Sequence, residues 1–151
     1  MEIQVLVSES FGTYKSGNHS VGISMWHLEW CTKYRRKMFR QERHRRYCEI
    51  AIRECCLRHN IKAIELNVQP DHVHFVGGLP RGMTDIEALR LLKGFTSFVL
   101  FRLVPDFRKR YPKGNLWSKG SFASTVGYTE LKSVVEYVRN QDIHHSGNHA
   151  L

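Results

Sequence analysis

The chain has 151 residues, enough for one domain with a proper core and too few for two. An apolar fraction of 42% and an aromatic fraction of 11% exclude a globally disordered chain. A net charge of +9 points to a polyanionic partner, nucleic acid ahead of an acidic membrane surface, because clustered Lys and Arg gain affinity by releasing phosphate counterions.

Residues 1–20 combine a short apolar run at 3–7 with Gly12, Ser16, Gly17, Asn18 and His19, which reads as a leader, flexible or forming an extra strand. Its start, Met1-Glu2-Ile3-Gln4, lacks the basic-then-apolar form of a signal peptide, and no apolar run approaches the roughly 18 residues that span a bilayer. A cytoplasmic protein with no membrane attachment is expected. Residues 21–34, with Ile23, Met25, His27, Trp30 and Thr32, are rich in strand formers and predict the first core strand. The basic run Lys33-Tyr34-Arg35-Arg36-Lys37 lies at its exit.

Over residues 41–59 the pairs Tyr47/Cys48, Ala51/Ile52 and Cys55/Cys56 recur about every fourth position, which predicts a helix with one apolar stripe and an Arg-rich outer face. Asn60 should end it, since Asn tolerates the left-handed cap conformation. Residues 61–69 read as a strand, Pro70-Asp71 as a tight turn and 72–79 as the hairpin partner. Thr84-Asp85-Ile86-Glu87 has the form of a capping box. Ile86, Leu89, Leu92, Thr96, Val99 and Leu103 carry that helix to about residue 103, where Pro105 stops it. A basic connection spans 106–115, residues 116–118 and 121–126 suggest a last short strand, and Leu131, Val134, Val135 and Val138 share one arc of a helix over 130–141. A polar tail fills 144–151.

This order predicts an α+β fold: a ferredoxin-like β-α-β-β-α-β split unit over a single domain at 21–143. Its antiparallel sheet carries helices on one face and leaves the other open to a ligand, and a C-terminal helix is appended.

His72 and His74 are separated by one residue in a predicted strand and so point to the same face, a ready two-nitrogen metal clamp. Tyr137 and Gln141 lie one turn apart on the flank of the last helix. Each feature alone has a plain alternative, as half-exposed strand histidines, a packing tyrosine and a solvated helix end. Asp71 either holds a histidine through a hydrogen bond or completes the Pro70-Asp71 turn. The cysteines Cys31, Cys48, Cys55 and Cys56 show no C-x-x-C pairing. A zinc reading can be built from His44 with Cys48 and Cys55 with His59, against buried free thiols as the commoner case. The phosphate-binding G-x-x-x-x-G-K-[ST] motif is absent, so no nucleotide cofactor is expected.

Between about residues 23 and 142 the chain resembles the IS200/IS605-family single-tyrosine transposases of the HUH endonuclease superfamily. The resemblance runs through Cys31-Thr32-Lys33-Tyr34-Arg35-Arg36, Pro70-Asp71-His72-Val73-His74-Phe75 and Leu92-Lys93-Gly94-Phe95-Thr96-Ser97. It continues through Leu116-Trp117-Ser118, Gly120-Ser121-Phe122, Ser124-Thr125-Val126-Gly127 and Tyr137-Val138-Arg139-Asn140-Gln141. It implies that His72, His74 and Gln141 hold a divalent metal, Mg²⁺ or Mn²⁺, and that Tyr137 is the nucleophile. Tyr128 and Tyr111 rank below it, having no ligand-type residue four positions on. The implied reaction cleaves and rejoins single-stranded DNA at hairpins of element ends through a 5′-phosphotyrosine, in a homodimer with active sites built in trans. Lys33, Tyr34, Arg35, Arg36, Lys93, Trp117 and Lys119 are the candidate DNA contacts. The alternatives are a domesticated HUH nickase of repeated hairpins and a non-catalytic nucleic-acid binder of the same fold.

Overall fold

The structure is a computed structural model that describes residues 23–141. The leader expected at 1–20 and the tail expected at 144–151 lie outside the described residues. The described chain runs β1 (Ser24–Thr32), a 3-10 turn (Lys33–Arg35), α1 (Glu42–Arg58), β2 (Lys62–Val68), β3 (His72–Leu79), α2 (Asp85–Leu103), α3 (Phe107–Arg110), β4 (Trp117–Thr125) and α4 (Leu131–Arg139). The strands form one four-stranded sheet in the order β2-β3-β1-β4, and every neighbouring pair is antiparallel. This is the expected split β-α-β-β-α-β unit.

The strand alternation divides the sheet cleanly. Leu28 and Trp30 of β1, Leu66 and Val68 of β2, and Val73 and Phe75 of β3 enter one core with Cys48, Ile52 and Cys55 of α1 and Leu92 and Leu100 of α2. The intervening positions, His27 and Glu29 on β1 and His72 and His74 on β3, therefore lie on the opposite face. There α4 packs, over β2 and β3, so the face expected to be open is covered on that half. The β1–β4 half carries the half-exposed Phe122.

Local signals account for most boundaries. Asn60 takes φ 56° at the end of α1, and the Thr84 hydroxyl accepts the Glu87 N–H at 3.1 Å to cap α2. The Pro70-Asp71 turn is closed by Gln69 N–H donating to the His72 carbonyl at 2.8 Å. Elsewhere the structure differs from expectation. The first strand stops at Thr32 because Tyr34 and Arg35 adopt φ values of 61° and 50°, a left-handed turn costly for non-glycine residues. The basic connection contains a helical turn, α3, and the last strand is continuous and nine residues long. Among the described residues no helix is long and apolar enough to cross a membrane.

Candidate metal centre and nucleophile

His72 opens β3 directly after the turn, and its position is fixed from behind. Asp71 Oδ1 lies 2.6 Å from His72 Nδ1. The same residue's carbonyl accepts the Thr32 N–H at 2.9 Å, so Asp71 both completes the turn and holds the histidine. With Nδ1 engaged, Nε2 is the His72 nitrogen that can bind a cation. Arg35 Nε, delivered by the left-handed turn, stands 3.5 Å from Asp71 Oδ2. Burial alone would raise the Asp71 carboxyl, but its hydrogen bond to His72 and the charges of His72 and Arg35 outweigh that and leave it below the usual carboxylate range.

His74 stands two residues on, buried on the same face, with the two imidazole centroids 4.9 Å apart. Its surroundings include residues that the sequence did not single out. His27 Nε2 lies 3.3 Å from His74 Nδ1, and Glu29 Oε2 lies 3.5 Å from the same nitrogen. Burial pushes the His27 imidazole below its ordinary value, partly opposed by Glu29, which favours the neutral ring that a cation needs. The signal was an H-x-E alternation in β1, informative only once β1 is known to pair with β3 at Glu29↔His74.

Tyr137 comes to this face on α4. Its ring, half exposed, sits 6.2 Å from His74 and 6.4 Å from His27 between centroids, nearly perpendicular to His74. Outward-facing polar residues of β2 hold the helix there. Asn67 Nδ2 donates to the Val138 carbonyl at 2.8 Å, Gln69 Nε2 steadies Asn67 Oδ1 at 2.7 Å, and Arg139 reaches Glu65 Oε2 at 2.9 Å. The Val138 carbonyl belongs to the last turn, where helical carbonyls lack their usual partners, and Asn67 adds a side-chain donor alongside the Asn140 N–H there. Gln141 is buried, and its amide Nε2 donates to the Tyr137 carbonyl at 3.3 Å. The donors fit a hard or borderline divalent cation: imidazole nitrogens, a carboxylate and an amide oxygen, with no thiolate among them.

The rival tyrosines separate by environment. Tyr111 is buried and its hydroxyl donates to the Lys33 carbonyl at 2.7 Å, while Tyr128 is exposed on the connection to α4. The zinc reading does not assemble: among the described residues His44, Cys48, Cys55 and His59 form no group of three whose ligand atoms lie within 4.8 Å of one another. Cys48, Cys55 and Cys56 lie in the core, where burial pushes their thiols up, Cys55 to about 12.

The basic candidates spread over the surface between β1, α2 and β4. Tyr34 is exposed, with Lys33 Nζ and the Arg36 guanidinium each 5.3 Å from its ring centre. Lys93 ties α2 to β4 through the Ser118 carbonyl at 2.6 Å and Ser121 Oγ at 3.1 Å, and Lys119 is exposed beside it. Beside Gly94 an added Cβ would meet open space, so nothing in the described chain approaches it. Trp117 differs from the expected stacking surface: it is a core residue, packed against Trp30 and Phe39, and its Nε1 donates to Thr96 Oγ1 at 2.9 Å.

Comparison with known proteins gives a consistent result. The family model described as "Transposase IS200 like" matches residues 20–141. The transposase for insertion sequence element IS200 of Salmonella typhimurium is 28% identical over 130 residues, covering 86% of this chain and 84% of that protein. The ISDra2 transposase TnpA of Deinococcus radiodurans is 26% identical over 127 residues, covering 84% and 90%. A solved Deinococcus radiodurans R1 protein assigned as a transposase superposes with a TM-score of 0.65 at 26% identity, covering 85% of this chain and 98% of its own. A REP-associated tyrosine transposase bound to a REP hairpin superposes with a TM-score of 0.61, covering 88% and 74%; at 14% identity that likeness concerns the fold.

Proposed function

The chain belongs to the IS200-like transposase family, and from that premise we propose that it cleaves and rejoins single-stranded DNA at hairpins through Tyr137, assisted by a divalent metal. The observation that carries this reading is the Tyr137 ring standing 6.2 Å from His74 on the sheet face that also holds His72. A phenol beside a pair of strand-borne imidazoles is what a phosphoryl transfer needs.

In this reading Tyr137 Oη attacks the scissile phosphorus, the P–O3′ bond breaks, and the proton lost by the phenol is balanced by the one gained at the released 3′-hydroxyl. The product is a 5′-phosphotyrosine, and rejoining runs the exchange backwards with a second 3′-hydroxyl. Because one phosphodiester is exchanged for another, no nucleotide is consumed. When bound, Mg²⁺ or Mn²⁺ supplies Lewis-acid polarisation of the phosphate and reduces its charge. His72 and His74 would hold the cation from β3, with Gln141 contributing from just beyond the C-terminal end of α4. Asp71 fixes which His72 nitrogen faces the cation, and Asn67 and Arg139 keep Tyr137 over the site. Lys33, Arg35, Arg36, Lys93 and Lys119 contribute phosphate contacts, with Tyr34 available for stacking on an unpaired base.

The hairpin substrate draws support from the REP-associated relative, and a homodimer from β4, whose outer edge pairs with no strand among the described residues. In such a dimer α4 can dock on its own sheet, as in the single chain, or on its partner's. A single domain over 21–143 and a cytoplasmic location complete the proposal. The test uses 5′- and 3′-labelled single-stranded hairpin oligonucleotides derived from the sequences flanking the gene, with Mn²⁺ or Mg²⁺. Cleavage on the single strand and strand exchange between two oligonucleotides are expected; a protein that only retards the hairpin on a gel is a binder, and the enzymatic reading is then wrong.

A further inference from the structure

We propose that the hollow between β1 and β4 on the reactive face is a base pocket, which takes the nucleobase 3′ of the cleaved bond, stacks it on Phe122 and selects it through Glu29. The proposal rests on the functional reading for the position of the scissile phosphate. It goes beyond that reading in naming a base and the side chains that choose it.

Strand register lays the pocket out. Glu29 pairs with His74 on β3 and with Phe122 on β4, so Phe122, Glu29 and His74 stand in one row across three strands of the reactive face. Cys31, opposite His72, stands in the next row. The β1–β4 register shifts between Trp30 and Thr32, and close to that shift Gly120 carries no side chain; a Cβ added there would meet open space. The result is a cavity of about 390 Å³ whose walls include Glu29, Cys31, Arg35, Gly120 and Phe122.

Its chemistry suits one base of a single strand. Phe122 is 49% exposed and offers the aromatic face on which an unpaired base stacks. The Phe122 ring lies 5.4 Å from that of His27, which lies 6.4 Å from that of Tyr137, so the pocket adjoins the nucleophile. Two strand spacings, about 10 Å in all, separate Phe122 from His74, a span that a sugar and its base bridge from a phosphate held over the histidines. Glu29 Oε2 lies 3.5 Å from His74 Nδ1, and because a carboxylate accepts at both oxygens, Glu29 also presents an acceptor to the pocket. A glutamate accepts from the amino group of cytosine, where thymine carries the oxygen O4 instead, so the pocket favours cytosine over thymine. Arg35 Nε, 3.5 Å from Asp71 Oδ2, belongs to a rim cation available to the next phosphate along the strand. The nucleotide 3′ of the cleaved bond is the one that stays joined to tyrosine in the 5′-phosphotyrosine. A grip on its base keeps that intermediate in place for rejoining.

The test reads binding rather than cleavage, in full-length Tyr137→Phe with Mn²⁺ and a single-stranded hairpin oligonucleotide derived from the sequences flanking the gene. 2-Aminopurine, whose fluorescence is quenched by stacking, replaces each unpaired nucleotide in turn. One position, the nucleotide 3′ of the bond that wild type cleaves, is expected to be quenched on binding, and Phe122→Leu is expected to abolish that quenching. At the same position cytosine should bind about tenfold tighter than thymine, within the range of one well-placed base contact, and Glu29→Gln should bring the ratio below about threefold. Because the ratio is taken within one variant, a change in metal affinity cancels. Phe122→Leu alters an exposed side chain and Glu29→Gln is nearly isosteric, so both report from folded protein. Quenching at no single position, quenching that persists in Phe122→Leu, or a preference that survives in Glu29→Gln overturns the proposal. If the expected pattern is found while wild type forms no DNA adduct, the pocket stands and the nucleophile assignment falls; an adduct without the pattern gives the reverse.

Discussion

Asp71 and His72, adjacent in sequence, are joined side chain to side chain at 2.6 Å, and that single contact sets which imidazole nitrogen faces the reactive side of the sheet. Replacing such a carboxylate typically weakens metal affinity 10–100-fold, on the order of the effect expected for Asp71→Asn. The pH dependence follows from the depressed carboxyl. A group whose folded pKa lies below its unfolded value of about 3.9 stabilises the protein above that pH, and the contribution is lost as pH falls through the folded value. Wild type should therefore melt above Asp71→Asn at pH 5–7, with the gap closing below about pH 4. Melting curves over pH 3–7 check this, and a gap that widens in acid contradicts it.

Asn67 is the residue that seats the tyrosine helix. In Asn67→Ala the Val138 carbonyl, at a buried position, loses its side-chain donor, a hydrogen bond worth about 0.5–1.5 kcal/mol. The loss should be local, appearing as faster hydrogen exchange over residues 131–141 with little change in α1 or α2. Uniformly faster exchange across the sheet would mean that α4 is not an independently docked element.

Trp117 and Thr96 bear on how DNA is bound. Thr96→Val strands the buried indole N–H and should destabilise the fold by roughly 1–3 kcal/mol. Single-strand DNA affinity, corrected for the folded fraction, should stay within twofold of wild type in Trp117→Phe and fall in Tyr34→Ala. A specific loss of affinity in folded Trp117→Phe would restore the stacking role that its sequence context suggests.

How far these features could be read in advance depended on the range of the interactions involved. The His72-Val73-His74 face, the Thr84 cap and the left-handed Asn60 follow from rules that act over a few residues, and each is found as expected. His27 and Glu29 were illegible because their proximity to His74 depends on strand order and register, which no local pattern specifies. Trp117 was misplaced for a related reason: it faces inward because it pairs with the buried Thr32 on the same face as Leu28 and Trp30, a pairing that no local pattern specifies. Glu65, Asn67 and Gln69 fall in the stretch read only as a strand, because what they do depends on the helix they hold.

The core thiols give a compact check on packing. Cys48, Cys55 and Cys56 are buried with raised thiols, whereas Cys31 is half-buried on the reactive face. Native protein at pH 8 should show one fast-reacting thiol, rising to all four of the sequence in guanidinium, with no stoichiometric zinc released. Release of one zinc per chain on thiol modification would revive a Cys–His site on α1.

The central claim is that Tyr137 becomes covalently attached to DNA. Wild type incubated with single-stranded hairpin DNA and Mn²⁺, then denatured and digested, should yield the tryptic peptide containing Tyr137 carrying a nucleotide 5′-phosphate, and Tyr137→Phe should yield no adduct. An adduct mapped to Tyr111, Tyr128 or Tyr34, or one that persists in Tyr137→Phe, would contradict the account.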